Sequence, residues 1–188
     1  MAVPALDYSR LPRMSVEEYL AFEEESEVKH EYAAGYVKAM AGARKIHEVV
    51  AGNLFAEMHR HLRGSGCNAF KGDMKLRTDF HEEPVFYYPD VVVSCEEQDN
   101  LSAYLTAPKL IIEVSTEWKR DYIEKFVSYT RIPSLEEYAI VWADEKKPIV
   151  TIFRKETGWE PPEQHHSGPF TLKSIGLTLN LEELYISG

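Results

Sequence analysis

Cysteine is scarce in this 188-residue chain: there are two, Cys67 and Cys95, and neither sits in a CxxC pattern. A zinc framework or a disulfide framework is therefore not expected, and a reduced, cytoplasmic location is the default expectation. Long apolar runs are missing too. None approaches the roughly 20 residues that cross a bilayer, so no membrane partner is expected. The stretch from Met1 to Arg13 lacks the apolar centre of a secretion signal. There is no GxxxxGK(S/T) loop, no GxGxxG after a strand, no HExxH and no GxSxG, which removes the common nucleotide, zinc-protease and serine-hydrolase signatures. No repeat or low-complexity block occurs. Positive charge is in deficit, with 21 Lys and Arg against 31 Asp and Glu, a net charge of −10. That excludes a protein that coats DNA nonspecifically through many cationic contacts. It leaves room for a nuclease, because carboxylates that hold a metal push the count negative while a local basic strip can still meet phosphate.

What is present is the profile of an ordinary globular protein, 44% apolar and 28% charged. One domain over 1–188 is expected, with 1–13 as an extended arm and 156–188 adding a C-terminal strand and a short helix. Ser15 followed by Glu18 reads as a capping box opening a helix to about Glu24. Residues 30–40 read as a strand, a turn at Gly35, and a strand. Ile46, Val49, Val50, Leu54, Met58 and Leu62 recur at three and four, predicting a helix over 43–63. Strands are predicted over 67–76, 87–94 and 107–115, a helix over 117–129 closed by Pro133, and a hairpin over 137–143 and 149–155. The order implies an α/β or α+β fold with a mixed central sheet flanked by helices.

Two acids interrupt the apolar strands. Asp90 precedes Val91-Val92-Val93, and Glu113 follows Leu110-Ile111-Ile112. An ionised carboxylate in such a strand costs several kcal/mol unless it is paired or bound to a cation. Two of them on strands that could be neighbours suggest a shared ligand, and hard oxygens suit Mg²⁺. Asp121, Lys125 and Tyr129 fall on one helix face, which could aim Lys125 at the acids. There it would position or help deprotonate a water, or stabilise a phosphate. The plainer reading of Asp121 and Lys125 is a surface pair worth a few tenths of a kcal/mol. His47, at the start of the long helix, could meet phosphate or the acids, or simply pack. Lys119, Arg120 and Arg131 could contact phosphate. Asp73 lies on the strand before the site, and His165-His166 in a turn-rich segment.

Taken in order, Pro89-Asp90, Glu113-Val114-Ser115, the Asp121/Lys125/Tyr129 helix and Glu137-Tyr138-Ala139-Ile140-Val141 resemble the Uma-type family of restriction endonucleases, within the PD-(D/E)XK nuclease superfamily. Glu31-Tyr32 with Gly35, and His47, also match, so the resemblance spans roughly residues 14–145. It implies a restriction-endonuclease-like fold and Mg²⁺-dependent cleavage of DNA, with Mn²⁺ as a possible substitute. Asp90, Glu113 and Val114 would bind the metal, Glu31 would be an auxiliary acid, and Lys125 would be catalytic. The superfamily lysine normally stands two residues after the Glu, where this chain has Ser115, so Lys125 would act from another element. Double-stranded DNA is the implied partner, and a homodimer would suit cutting two antiparallel strands. The competing expectations are a nuclease fold that binds nucleic acid or protein without cutting, and a hydrolase of small phosphoesters.

Overall fold

A computed structural model describes residues 13–96, 102–115 and 124–187. Helix α1 (Val16–Glu25) starts as its sequence predicts: the Glu18 amide donates to the Ser15 hydroxyl, and the Ser15 amide donates to the Glu18 carboxylate. Strands β1 (His30–Ala33) and β2 (Tyr36–Ala39) form an antiparallel hairpin through Ala34-Gly35, both at positive φ, the geometry of a tight two-residue loop. Gly35 is required there, since its φ is +92° and an added Cβ would stand 3.1 Å from Arg13.

Helix α2 (Lys45–His61) follows. The single strand expected over 67–76 is two, β3 (Asn68–Lys71) and β4 (Lys75–Phe80). They are separated at Gly72, whose φ is +58°. Next come β5 (Glu83–Tyr87), β6 (Val91–Ser94), β7 (Tyr104–Leu105) and β8 (Pro108–Ser115). The described part of the helix expected over 117–129 is α3 (Phe126–Tyr129); Glu117, Lys119, Arg120 and Asp121 lie outside the described residues. The expected hairpin is β9 (Glu137–Trp142) and β10 (Val150–Arg154). The C-terminal part holds more strand than expected: β11 (Glu163–His165), β12 (Pro169–Leu172) and β13 (Leu177–Asn180), then a 3-10 turn at Glu182–Tyr185.

The strands form a six-stranded sheet in the order β11-β10-β9-β8-β6-β3, a five-stranded sheet in the order β2-β1-β5-β4-β7, and the β12-β13 pair. The β8–β9 and β4–β7 pairs are parallel and the rest antiparallel, so the mixed sheet is as expected. Helix α2 lays Val50, Leu54 and Met58 on one face of the six-stranded sheet, against Val91, Val93, Leu110 and Ile112. The other face puts Val92, Ile111 and Ile140 against Leu76 and Tyr129. Both faces of β6 and β8 are thus covered, which is why their apolar runs do not alternate with polar residues. Each such side chain contributes about 1.5–3 kcal/mol of burial. Among the described residues no helix is long and apolar enough to cross a membrane.

The expectation about cysteine is corrected. Asn68 pairs with Ser94 in the β3–β6 ladder. One residue further along that register Cys67 faces Cys95, and the two are joined in a disulfide. A spacing of 28 residues gives no hint of this; cross-strand register decides it.

Candidate metal centre

The site is built where the chain crosses between the two large sheets. Residues 72–74 carry it from β3 in the six-stranded sheet to β4 in the other, and residues 88–90 carry it back from β5 to β6. The Gly72 amide donates to the Asp90 carbonyl at 3.1 Å, tying the crossings together. Asp90 therefore lies just ahead of β6, in irregular chain, where the sequence had suggested an unbroken strand over 87–94.

Main-chain geometry then aims Asp90. A strand residue turns its N–H and C=O toward the same neighbour, and successive residues alternate. Lys109 and Ser115 accept from Glu136 and Ala143, on the β9 side. Val114 consequently turns its N–H and C=O toward β6. The antiparallel register pairs Val91 with Ile112, so continuing it sets Asp90 beside Glu113 and Pro89 beside Val114. Proline has no N–H to offer the Val114 carbonyl. Beyond the end of the ladder, Asp90 Oδ2 takes the place of a strand acceptor and receives the Val114 amide at 2.7 Å.

Asp90 Oδ1 stands 3.1 Å from His47 Nε2, in the first turn of α2, and His47 Nδ1 is 3.4 Å from Glu48 Oε1. The hydrogen bond to Asp90 raises the His47 imidazole above its ordinary pKa, against the opposing effect of burial, with Glu48 adding to the rise. The ring of His47 therefore touches the candidate ligand directly.

Glu113 is buried on β8, its side chain 3% exposed. Its Oε1 accepts from Lys125 Nζ at 2.9 Å and from the Tyr129 hydroxyl at 2.8 Å. Burial, and then the charge of Glu113, push ionisation of Tyr129 well above the phenol range, so it stays a donor. Lys125 is itself buried, and its Nζ also lies 4.0 Å from Glu31 Oε1. Glu31 projects from β1 of the five-stranded sheet. Lys125 thus bridges acids from both sheets and does not face bulk solvent. Ser115, in the position the superfamily gives to lysine, is buried on β8.

Two features near the site were not anticipated. Buried Glu23 of α1 accepts from the His30 amide at 2.8 Å and from the Tyr88 hydroxyl at 2.7 Å. It thereby holds the residue before Glu31 and the residue two before Asp90. The available signal was its place one turn after Tyr19 on the buried face of α1. Tyr87, on β5, places its ring 6.0 Å from Lys125 Nζ. Of the weaker candidates, Asp73 pairs with Lys29 on the solvent side of the crossing. Arg131 sits over the Phe80 ring, and His165 pairs with Glu163.

The Uma2 family, described as "Putative restriction endonuclease", matches residues 16–183. The chain is 31% identical over 177 residues to the uncharacterized protein slr1290 of Synechocystis sp., covering 93% of this chain and 92% of that one. It is 32% identical over 133 residues to sll1609 of the same organism, covering 68% and 74%. A crystal structure of a "putative nuclease belonging to DUF820" from Anabaena variabilis superposes with a TM-score of 0.71 at 16% identity, over 92% of this chain and 97% of that one. This likeness shows that the two share a fold.

Proposed function

We propose that this chain, which belongs to the Uma2 family, is a metal-dependent nuclease that hydrolyses phosphodiester bonds of double-stranded DNA. One observation carries the proposal: Glu113 from one sheet and Glu31 from the other share a single lysine, and Asp90, at the sheet crossing, accepts the amide of Val114, the residue after Glu113. Asp90 and Glu113 bring hard oxygen donors to adjoining positions at the end of the β6–β8 ladder, where a divalent cation would be favoured.

The donors fit Mg²⁺, which commonly takes one or two carboxylates and keeps several waters. The side chain of Asp90 is 20% exposed, so water reaches it. Val114 can offer only its carbonyl, and that carbonyl turns to the edge where Asp90 lies. Among the described residues no three His, Cys, Asp or Glu side chains stand close enough to hold an ion, so the ion would rest on Asp90 and Glu113 with the Val114 carbonyl and water. Mn²⁺ would bind the same oxygens. A bound ion would acidify a water and offset charge on a phosphoryl oxygen.

The chain's own groups supply the rest. His47 and the Val114 amide each hold one oxygen of Asp90. Tyr129 fixes Glu113. Lys125, kept in place by Glu113 and Glu31, offers positive charge to the scissile phosphate as charge grows on its oxygens, a role suited to an ion-paired ammonium. A two-fold dimer would bring two such sites to opposite strands; its test is a solution mass of twice that of the chain.

The deciding experiment incubates plasmid with the protein and Mg²⁺ or Mn²⁺, beside Asp90→Ala. The wild type should nick or linearise the plasmid, and the variant should lose roughly 10²- to 10³-fold in rate. No cleavage with either metal, or equal cleavage by the variant, would overturn the proposal. Ser115 in the usual lysine position, and the closed Lys125–Glu113 pair, favour a second function: binding nucleic acid or protein without cutting. Retention of DNA without cleavage in the same assay would support it.

A further inference from the structure

We infer that β2, the loop after it and the start of α2 form the track on which a nucleic-acid backbone lies as it enters the site, an inference that rests on reading the site as a nuclease centre. In a chain of net charge −10, residues 32–72 carry six Lys and Arg against only Glu48 and Glu57. Both acids are occupied within that segment, Glu57 by Arg60 and Glu48 by Lys71 and His47. Lys38, Arg44 and Lys45 are exposed and make no ion pair among the described residues.

All three cations lie on elements that carry residues of the site. Lys38 is directly opposite Glu31 in the β1–β2 register, so the two side chains leave the same face of the sheet. Arg44, the N-cap of α2, and Lys45, its first residue, stand three and two residues ahead of His47, whose ring touches Asp90. Between Lys38 and Arg44 the chain offers exposed Ala41-Gly42-Ala43, and a Cβ built at Gly42 meets nothing within 4 Å. Short side chains make a floor that a bulky, stiff ligand can approach.

The chemistry selects the ligand class. An isolated phosphate is held by converging donors in a concavity, whereas here the cations are spread along an open surface. That layout suits successive phosphates of a polymer. A chain that is acidic elsewhere repels such a polymer from its other faces and focuses it here. Contacts of this kind position the backbone and carry no sequence information.

The test measures anisotropy of a short labelled DNA duplex, and of an RNA duplex of the same sequence, titrated with wild-type protein in EDTA across a range of salt. Lys38→Ala/Arg44→Ala/Lys45→Ala should weaken binding by about tenfold or more at low salt. It should also lower the slope of log affinity against log salt by up to about 3. Lys155→Ala/Lys173→Ala, at the other end of the six-stranded sheet, should change neither. Weakening of either duplex supports the track and identifies the polymer. The inference falls if the wild type binds neither duplex, or if the triple variant, with unchanged circular dichroism, keeps its affinity and slope. Because no metal is present, a failure of plasmid cleavage would leave this result standing, and the reverse also holds.

Discussion

Glu113 and Glu137 are both buried glutamates of the six-stranded sheet, on neighbouring parallel strands, yet they keep different company. Glu137, 1% exposed, is saturated by fixed donors. Oε1 takes Arg154 Nε and the Lys173 amide, and Oε2 takes the amide and hydroxyl of Ser174. Those partners tie the C-terminal segment to the sheet, and Arg154 reaches on to Glu163 and the Thr171 carbonyl. Glu113 instead shares its lysine with a second acid, Glu31, and stands beside a third, Asp90, which is open to water. Burial of an acid is therefore no mark of function. Acids from separate elements that share one lysine, next to an acid that solvent can reach, are the stronger sign.

The largest expected effect tests the closed cluster. Glu137→Ala strands a buried arginine, two amides and a hydroxyl, and should cost about 3–5 kcal/mol in urea unfolding. At about 2–4 °C per kcal/mol, that is a fall on the order of 10 °C in Tm. Added Mg²⁺ should restore none of it. A loss below about 1 kcal/mol would mean that Glu137 is not the bolt its bonds describe.

Lys125→Met leaves Glu113 and Glu31 without their shared cation and should cost about 3 kcal/mol. Here Mg²⁺ or Mn²⁺ should recover part of the loss, by restoring positive charge among the acids. If urea curves with and without metal coincide, the two glutamates are alike after all and the contrast collapses. In the wild type, Mg²⁺ at ten times its dissociation constant should add about 1.4 kcal/mol, a rise of a few degrees in Tm that Asp90→Ala abolishes.

The smallest effect belongs to the rim of the Glu137 cluster. Burial tends to raise the Glu163 carboxyl, but hydrogen bonds from His165 and Arg154 outweigh it and hold the group below its ordinary pKa. A lowered folded pKa means that the contribution is complete above the ordinary glutamate value and is lost as pH falls through the lowered one. Glu163→Gln should therefore be less stable than wild type at neutral pH and converge with it in acid. Glu163 is 42% exposed, so the gap should be small. Curves that stay parallel into acid would remove Glu163 from the pairing.

Much of the site is legible in the order of residues. Asp90 and Glu113 stand out because acids interrupt apolar runs, and Lys125 and Tyr129 because one helical turn separates them. Glu113 does receive both. His47 was only one of several candidates, since nothing local separates a ring that packs from a ring that reaches across to another element. Glu23 went unnoticed because its partners, His30 and Tyr88, lie on a strand and a crossing that only tertiary packing brings to α1. Cys67 and Cys95 form no motif, yet strand register sets them face to face. A lone Gly72 gives no local sign that it breaks β3 from β4 and starts the exchange of sheets.

Local chemistry alone settled where α1 begins, because Ser15 and Glu18 satisfy each other's amides within four residues. It settled that β6 and β8 are buried on both faces, because Val91-Val92-Val93 and Leu110-Ile111-Ile112 have no polar face to show. It also settled that Pro89 can give no hydrogen to a neighbouring strand. Only the tertiary structure decided that the neighbour is Val114, that Asp90 takes the amide there, and that Glu31 arrives from a second sheet to share Lys125. Those relations depend on register and on where the chain changes sheets, and both are set by long-range packing rather than by any short stretch of residues.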